Sequence, residues 1–326
     1  MEQMLSLAGQ NLLTPMILCF ALGLAAALAR SELTVPEAAA KAMSIYLLFA
    51  IGFKGGVAVS DHGVDARLIG ALVVGTVLSF ALPVVAFGLL RILTRMSITD
   101  AAAVAAHYGS ISIVTFVTAS SVLTAQGIAS EGYMVAVAAA MEAPAIVSAL
   151  WLATRGGAGS GRIDADLWRE ILLNGSIVLL VGSFVIGLVT GADGMARIDS
   201  FIVAPFQGVL CLFLLDMGLV AGRGLRGARG VLTGSALAFG IVMPVLGAAA
   251  GLVAGLALTL STGGVALMMV LAASASYIAV PAAMRVALPE ANPSIYLTLS
   301  LGVTFPFNLT LGIPACIAVA SALTGG

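Results

Sequence analysis

Apolar positions in this chain run together instead of alternating, and the few polar clusters between them mark the elements. Ten runs, each at least about 17 residues, are long enough to cross a hydrocarbon layer roughly 30 Å thick as α-helices. They span 12–28, 38–59, 68–93, 101–124, 133–153, 171–190, 201–221, 231–258, 265–287 and 294–323. Cap chemistry opens several of them: Thr99-Asp100 the fourth, Ser130-Glu131 the fifth, and Asn292-Pro293 the tenth, with Asn as cap and Pro at the first helical position.

Two runs are interrupted near their middle by small and polar residues: HYGSISIVTFVTAS at 107–120 and AASASYIAVPAAMR at 272–285. An uninterrupted bilayer helix would carry Leu, Ile and Val there, so both read as broken helices. Ile111 lies 11 residues beyond Asp100, which at 1.5 Å per residue places it about 16 Å deep, near the bilayer centre.

The halves of the chain repeat. The third and eighth runs align with Pro83 and Pro244 at matching places, the fourth and ninth carry the breaks, and MEAP (141–144) matches VTFP (303–306) in the fifth and tenth. A unit of five spans returns the chain to the opposite side, so the second unit is inverted about an axis in the membrane plane. The expected fold is an all-α integral membrane protein. It has ten transmembrane helices in a 5+5 inverted repeat, with helices 4 and 9 discontinuous. The first repeat is 1–155, a Gly-rich cytoplasmic linker 156–169, and the second repeat 170–326.

Charge orients this frame. Arg30, Lys41, Arg91, Arg95, Arg155, Arg162, Arg169, Arg223, Arg226, Arg229 and Arg285 fall on one side, Arg67 and Arg197 on the other, and Lys54 lies within the second run. The positive-inside rule makes the first side cytoplasmic and leaves both termini outside, in a multi-pass protein of the bacterial inner membrane.

Composition agrees: 61% hydrophobic and 9% charged residues exclude a soluble globule. The 38 glycines suit close helix packing. A net charge of -1 gives no sign of a nucleic-acid partner, and Cys19, Cys211 and Cys316 lie in apolar runs, so no disulfide framework is implied. The start MEQMLSLAGQ lacks a basic n-region, so the first run is expected to stay in the mature protein.

If the helices unwind at Gly109 to Ser112 and Ala273 to Ser276, each resumes with a new N-terminus at the bilayer centre. Free N–H groups and the positive dipole end suit an anion, and Ser110, Ser112, Ser274 and Ser276 add hydroxyl donors. The expected substrate site is therefore Gly109, Ser110, Ser112, Ser274, Ala275 and Ser276, with a small oxyanion as ligand. Close packing is the plain alternative for one such cluster; two at repeat-related depths favour a site.

An anion entering a negatively charged cell needs a driving ion, since moving one charge costs about 2.3 kcal/mol per 100 mV. Glu142 in the fifth run is the candidate coupling group, and Pro144 beyond it frees the Ala140 carbonyl. Its repeat partner Thr304 precedes Pro306, which frees the Gly302 carbonyl, with Thr115, Thr118 and Asn308 near in the pattern. Such oxygens suit a hard monovalent cation, with sodium at Thr115 and Glu142. A proton on Glu142 or His107 is the other option. His107 otherwise reads as a packing histidine, Lys54 as snorkelling outward and Arg285 as a topology charge, while Asp216 has no assigned role. Two histidines and three scattered cysteines offer no catalytic set or metal cluster, so neither an enzyme nor a bound cofactor is expected.

LLFAIGFKGGVAV (47–59), HYGSIS with Thr115, EAPAIVSAL (142–150) and AASASYIAVPAAMRVALPEANPSIY (272–296) resemble the sodium-dependent bicarbonate transporters of cyanobacteria, the SbtA family. The resemblance covers nearly the whole chain. It implies gate and core subdomains, a homotrimer, sodium-coupled bicarbonate uptake and a PII-like cytoplasmic regulator. It also sets Ser112, Thr115, Ser274 and Ser276 at matching positions near the substrate and sodium. The chain departs from that pattern at Tyr277, where an acidic residue is usual, at Ile113 and Val114, and in having Glu142 for Asp. The expectation is sodium-dependent bicarbonate uptake by alternating access. The alternative is a proton-coupled transporter of another small monoanion or carboxylate.

Overall fold

The computed structural model describes residues 14–62, 66–155, 169, 173, 175–227 and 233–325. The elements among them are helices, with no strand. In chain order they are α1 (Pro15–Leu28), α2 (Glu37–His62), α3 (Ala66–Leu93), α4 (Ile98–Gly109), α5 (Ile113–Ala125), α6 (Met134–Ala140), α7 (Ala143–Arg155), α8 (Gly175–Ile202), α9 (Phe206–Gly227), α10 (Gly234–Ala257), α11 (Thr262–Ala273) and α12 (Ala279–Ala287). α13 (Pro293–Thr324) closes the chain. Among the described residues, 8 helical segments are long and apolar enough to cross a membrane, and Pro15–Leu28 and Thr262–Ala273 are shorter apolar helices in the places of the first and ninth runs. The join at 156–169 lies outside the described residues apart from Arg169.

Both expected breaks are present, at Ser110 to Ser112 between α4 and α5 and at Ser274 to Ile278 between α11 and α12. Two further irregularities follow from proline. The fifth run is also split, turning at Met141-Glu142 just before Pro144, where the Ser79 hydroxyl donates to the Met141 carbonyl at 2.6 Å. In α13, π-helical turns occupy Thr298–Thr304 and Asn308–Gly312 on either side of Pro306. Widening the helix there accommodates a residue that cannot donate to the ladder. α8 is kinked at Gly191, with φ 57°, one residue past the expected end of the sixth run.

The caps differ in part from expectation. α4 is capped by Ser97, whose hydroxyl accepts the Asp100 N–H at 3.0 Å, rather than opening at Thr99-Asp100. The Asp100 carboxylate accepts the Ser97 hydroxyl at 2.7 Å and, through its other oxygen, the Asn292 N–H at 2.8 Å. Glu131 likewise does not start α6. It accepts from the Ser261 N–H at 2.7 Å and hydroxyl at 2.9 Å, holding the start of α11. Asn292 caps α13 as the sequence suggests, with Pro293 at the first position.

Packing sorts the helices. α1 lies along α9 and α2 along α8, while α3 packs on α4 and α7 and α10 packs on α11. Close backbone approach sets the first two contacts: a methyl group on Gly218 would sit 2.2 Å from the Phe20 carbonyl oxygen, and one on Gly56 1.9 Å from that of Phe184. The buried residues form two apolar clusters. One holds α5 and most of α11 with α1, α2 and α9; the other holds α4, α7, α10 and residues of α12. The two breaks lie at the seam, where each chain segment passes from one cluster to the other.

Candidate functional site

α4 and α11 are built alike. Each has 12 residues, each is capped by a serine (Ser97 and Ser261) whose hydroxyl accepts the N–H three residues on, and each ends at a serine with extended backbone, Ser110 and Ser274. At Ser97, Ser261 and Ser274 the hydroxyl makes hydrogen bonds that a helix terminus leaves unmade, whereas that of Ser110 does not.

The two extended stretches cross and bond to one another. Ser112 N–H donates to the Ser274 hydroxyl at 2.9 Å, and that hydroxyl donates to the Leu271 carbonyl at 2.8 Å. Ser276 N–H donates to the His107 carbonyl at 2.8 Å, and the His107 Nδ1 meets the Ser276 carbonyl at 2.5 Å. A carbonyl only accepts, so Nδ1 carries the proton in the neutral ring and Nε2 presents a lone pair. His107 is fully buried and stacked on Tyr296 at 4.7 Å, and its Nε2 has no partner among the described residues. It clamps one break to the other, which explains a histidine that the sequence leaves as packing.

Beyond the crossing the two sides differ. α5 resumes at once: the Ser112 hydroxyl accepts the Thr115 N–H at 3.3 Å and the Thr115 hydroxyl at 2.9 Å. The N–H groups of Ile113 and Val114 have no backbone acceptor among the described residues, as at any helix start. α12 resumes only at Ala279, without a side-chain cap, and Pro281 in its first turn has no N–H to offer. Both helices resume past their breaks, but a side-chain cap forms on one side alone.

The sequence-derived residues fall into three groups. Gly109, Ser110, Ser112, Thr115, Ser274, Ala275 and Ser276 are buried together at the crossing, with the Ser110 hydroxyl unpartnered. Gly109 closes on α3, where a methyl group would come 2.2 Å from Pro83 Cγ. Asn308 joins this group, its Nδ2 donating to the Ala273 carbonyl at 2.9 Å. Thr304 is bonded instead to Tyr108, hydroxyl to hydroxyl at 2.7 Å, and donates to the Gly240 carbonyl at 2.7 Å, so it ties α4, α10 and α13 together. Glu142 is buried at its turn, and its Oε2 is unpartnered among the described residues. No group of three or more His, Cys, Asp or Glu stands together as a metal cage among the described residues.

Two cavities approach the crossing from opposite ends. One, of about 710 Å³, opens on the arginine-rich side between α9, α12 and α13, lined by Arg223, Arg285, Ser294 and Thr298 among others, and it reaches Tyr277 and Pro281. The other, of about 490 Å³, is lined from α2, α5 and the residues before α6, including Lys54, Ser120, Ser121 and Glu131. Lys54 turns into this cavity, its Nζ 4.4 Å from the Phe206 ring centroid, instead of snorkelling outward. Arg285, read as a topology charge, lines the larger cavity. Asp216 stands two residues before Gly218 as Lys54 stands two before Gly56, and it is buried with no assigned role.

The sequence model of the Na+-dependent bicarbonate transporter superfamily matches residues 15–321, nearly the whole described chain. No curated protein matches. The chain belongs to the Na+-dependent bicarbonate transporter superfamily, and it is a multi-pass membrane transporter rather than an enzyme.

Proposed function

From that membership we propose that the chain imports bicarbonate with sodium by alternating access. The observation that carries this reading is the crossing itself. A capped helix N-terminus with unbonded N–H groups lies buried beside serine hydroxyls, between two cavities entering from opposite sides. That environment stabilises a small oxyanion and excludes bulk water.

In this reading the molecule has ten spans in an inverted repeat. The packing supports it: α2 on α8 and α1 on α9 exchange under the repeat, as do α3 on α4 and α10 on α11. Helices α1, α2, α8 and α9 are the gate, the remainder is the core, and movement between them opens one cavity and closes the other. With the arginine-rich side cytoplasmic, the 710 Å³ cavity faces inward and both termini lie outside the cell. Sodium is held from the core by oxygens near Thr115 and Asn308, with Glu142 as the charged group. Thr304, whose hydroxyl already serves two bonds, supports the frame. Assembly as a homotrimer in a bacterial inner membrane and regulation by a PII-like partner complete the proposal.

The test is uptake of labelled bicarbonate into proteoliposomes with sodium or choline outside. Uptake that rises with sodium and is lost in Ser112→Ala and Ser274→Ala supports the reading. Uptake independent of sodium and unchanged in both variants contradicts it. Proton-coupled carriage of another small monoanion or carboxylate is the second reading, favoured by the unpartnered Glu142 Oε2 and His107 Nε2. Uptake driven by an imposed pH difference in sodium-free buffer would select it.

A further inference from the structure

One tyrosine at the inward cavity carries an enclosed hydroxyl that the crossing does not use. Tyr277 lies at the end of the 710 Å³ cavity, is 8% exposed, and packs edge-on against Phe305 at 5.2 Å. Its hydroxyl lies close enough to the Ser112 side chain to interact with it, but no hydrogen bond of good geometry pairs it with any described group. A buried phenol rarely stays unpaired without a purpose, because the unmade bond costs stability. Counted from the caps of α4 and α11, Tyr277 occupies the place that Ile113 holds in the first break, so the repeat frame does not require a hydroxyl there.

The surroundings define what would pair with it. Arg223 and Arg285 line the same cavity, Ser112 caps the free N-terminus of α5, and Pro281 removes a competing N–H from α12. These groups favour an acceptor that is small and anionic. We infer that the Tyr277 hydroxyl is a direct donor to the transported oxyanion, completing the site between Ser112 and the inward cavity and setting its affinity. This rests on the functional reading above and names a selectivity residue within it. The chemistry fits a planar oxyanion with an oxygen to spare for the phenol, and disfavours a spherical halide that already meets the α5 N–H groups.

The test compares wild type with Tyr277→Phe in the concentration dependence of labelled bicarbonate uptake and in competition by chloride. The phenyl ring keeps the contact with Phe305 and removes only the hydroxyl. The expected result is a KM raised about tenfold or more, the usual consequence of losing a hydrogen bond to a charged group, with the maximal rate within about twofold and chloride competing better. A KM equal to that of wild type, or a fall in maximal rate alone, overturns the inference while bicarbonate transport stands. A wild type that takes up no bicarbonate overturns the functional reading, and the inference falls with it. A second readout does not depend on the variant's turnover: bicarbonate should perturb the ultraviolet tyrosine spectrum of wild type and not that of Tyr277→Phe, and an unperturbed wild-type spectrum counts against the inference.

Discussion

The break between α4 and α5 and the break between α11 and α12 begin as copies and end as opposites. Both first halves are 12 residues long with serines at each end. After the crossing, α5 restarts within three residues under a serine cap, whereas the second chain bends through Tyr277 and Ile278 before α12 forms uncapped. The difference teaches a division of labour. The first break offers backbone N–H groups, and the second offers a hydroxyl on a side chain and a clamp through its own backbone to His107. An inverted repeat gives two related approaches to one site, but a single anion needs only one helix N-terminus, so the other is free to diverge.

The comparison breaks most sharply at Ser112. Asp accepts the cap bond as Ser does, so α5 should still form in Ser112→Asp, with some loss of thermal stability from burying a carboxylate at a position 3% exposed. The added negative charge, about 5 Å from the proposed anion, should lower bicarbonate uptake about 100-fold or more. Unchanged uptake would remove the anion from the α5 N-terminus. Ser274→Ala comes next, because it strands the buried Ser112 N–H. A loss of about 1 to 3 kcal/mol in stability is expected, measured by thermal unfolding in detergent, together with reduced transport. Ser112→Ala removes the cap and the acceptor of the Thr115 hydroxyl and should cost about 1 kcal/mol. At the other break a cap has little to gain: Ile278 has helical backbone angles and Pro281 lacks the N–H three residues on, so Ile278→Ser at this exposed position should change stability by no more than a few tenths of a kcal/mol, roughly the smallest effect that thermal unfolding resolves. A large loss in Ile278→Ser would show that α12 depends on its present start.

Much of this frame can be read along the chain because its signals are local. HYGSIS and AASAS interrupt apolar runs, Asn292-Pro293 opens a helix, and Pro144 and Pro306 mark places where a helix cannot continue unaltered. What cannot be read is which distant group each polar residue meets. Asp100 and Glu131 resemble caps of their own helices, yet Asp100, besides its bond to Ser97, holds the start of α13, and Glu131 holds that of α11. Thr304 suits a cation by type, but Tyr108 and the Gly240 carbonyl engage its hydroxyl. His107 and Lys54 are decided in the same way, by Ser276 across the crossing and by Phe206 beside a cavity. Repeat symmetry predicts two helix starts and is silent on the two extra bend residues before the second, since Tyr277 and Ile278 are compatible with a helix by residue type alone.

The central claim is that an oxyanion sits at the N-terminus of α5 with sodium beside it. Calorimetric titration of bicarbonate into purified wild type and Ser112→Asp, in sodium and in choline buffer, tests it most directly. The account predicts binding to wild type that tightens in sodium and no measurable binding to Ser112→Asp in either buffer. Equal binding by the two proteins would contradict it.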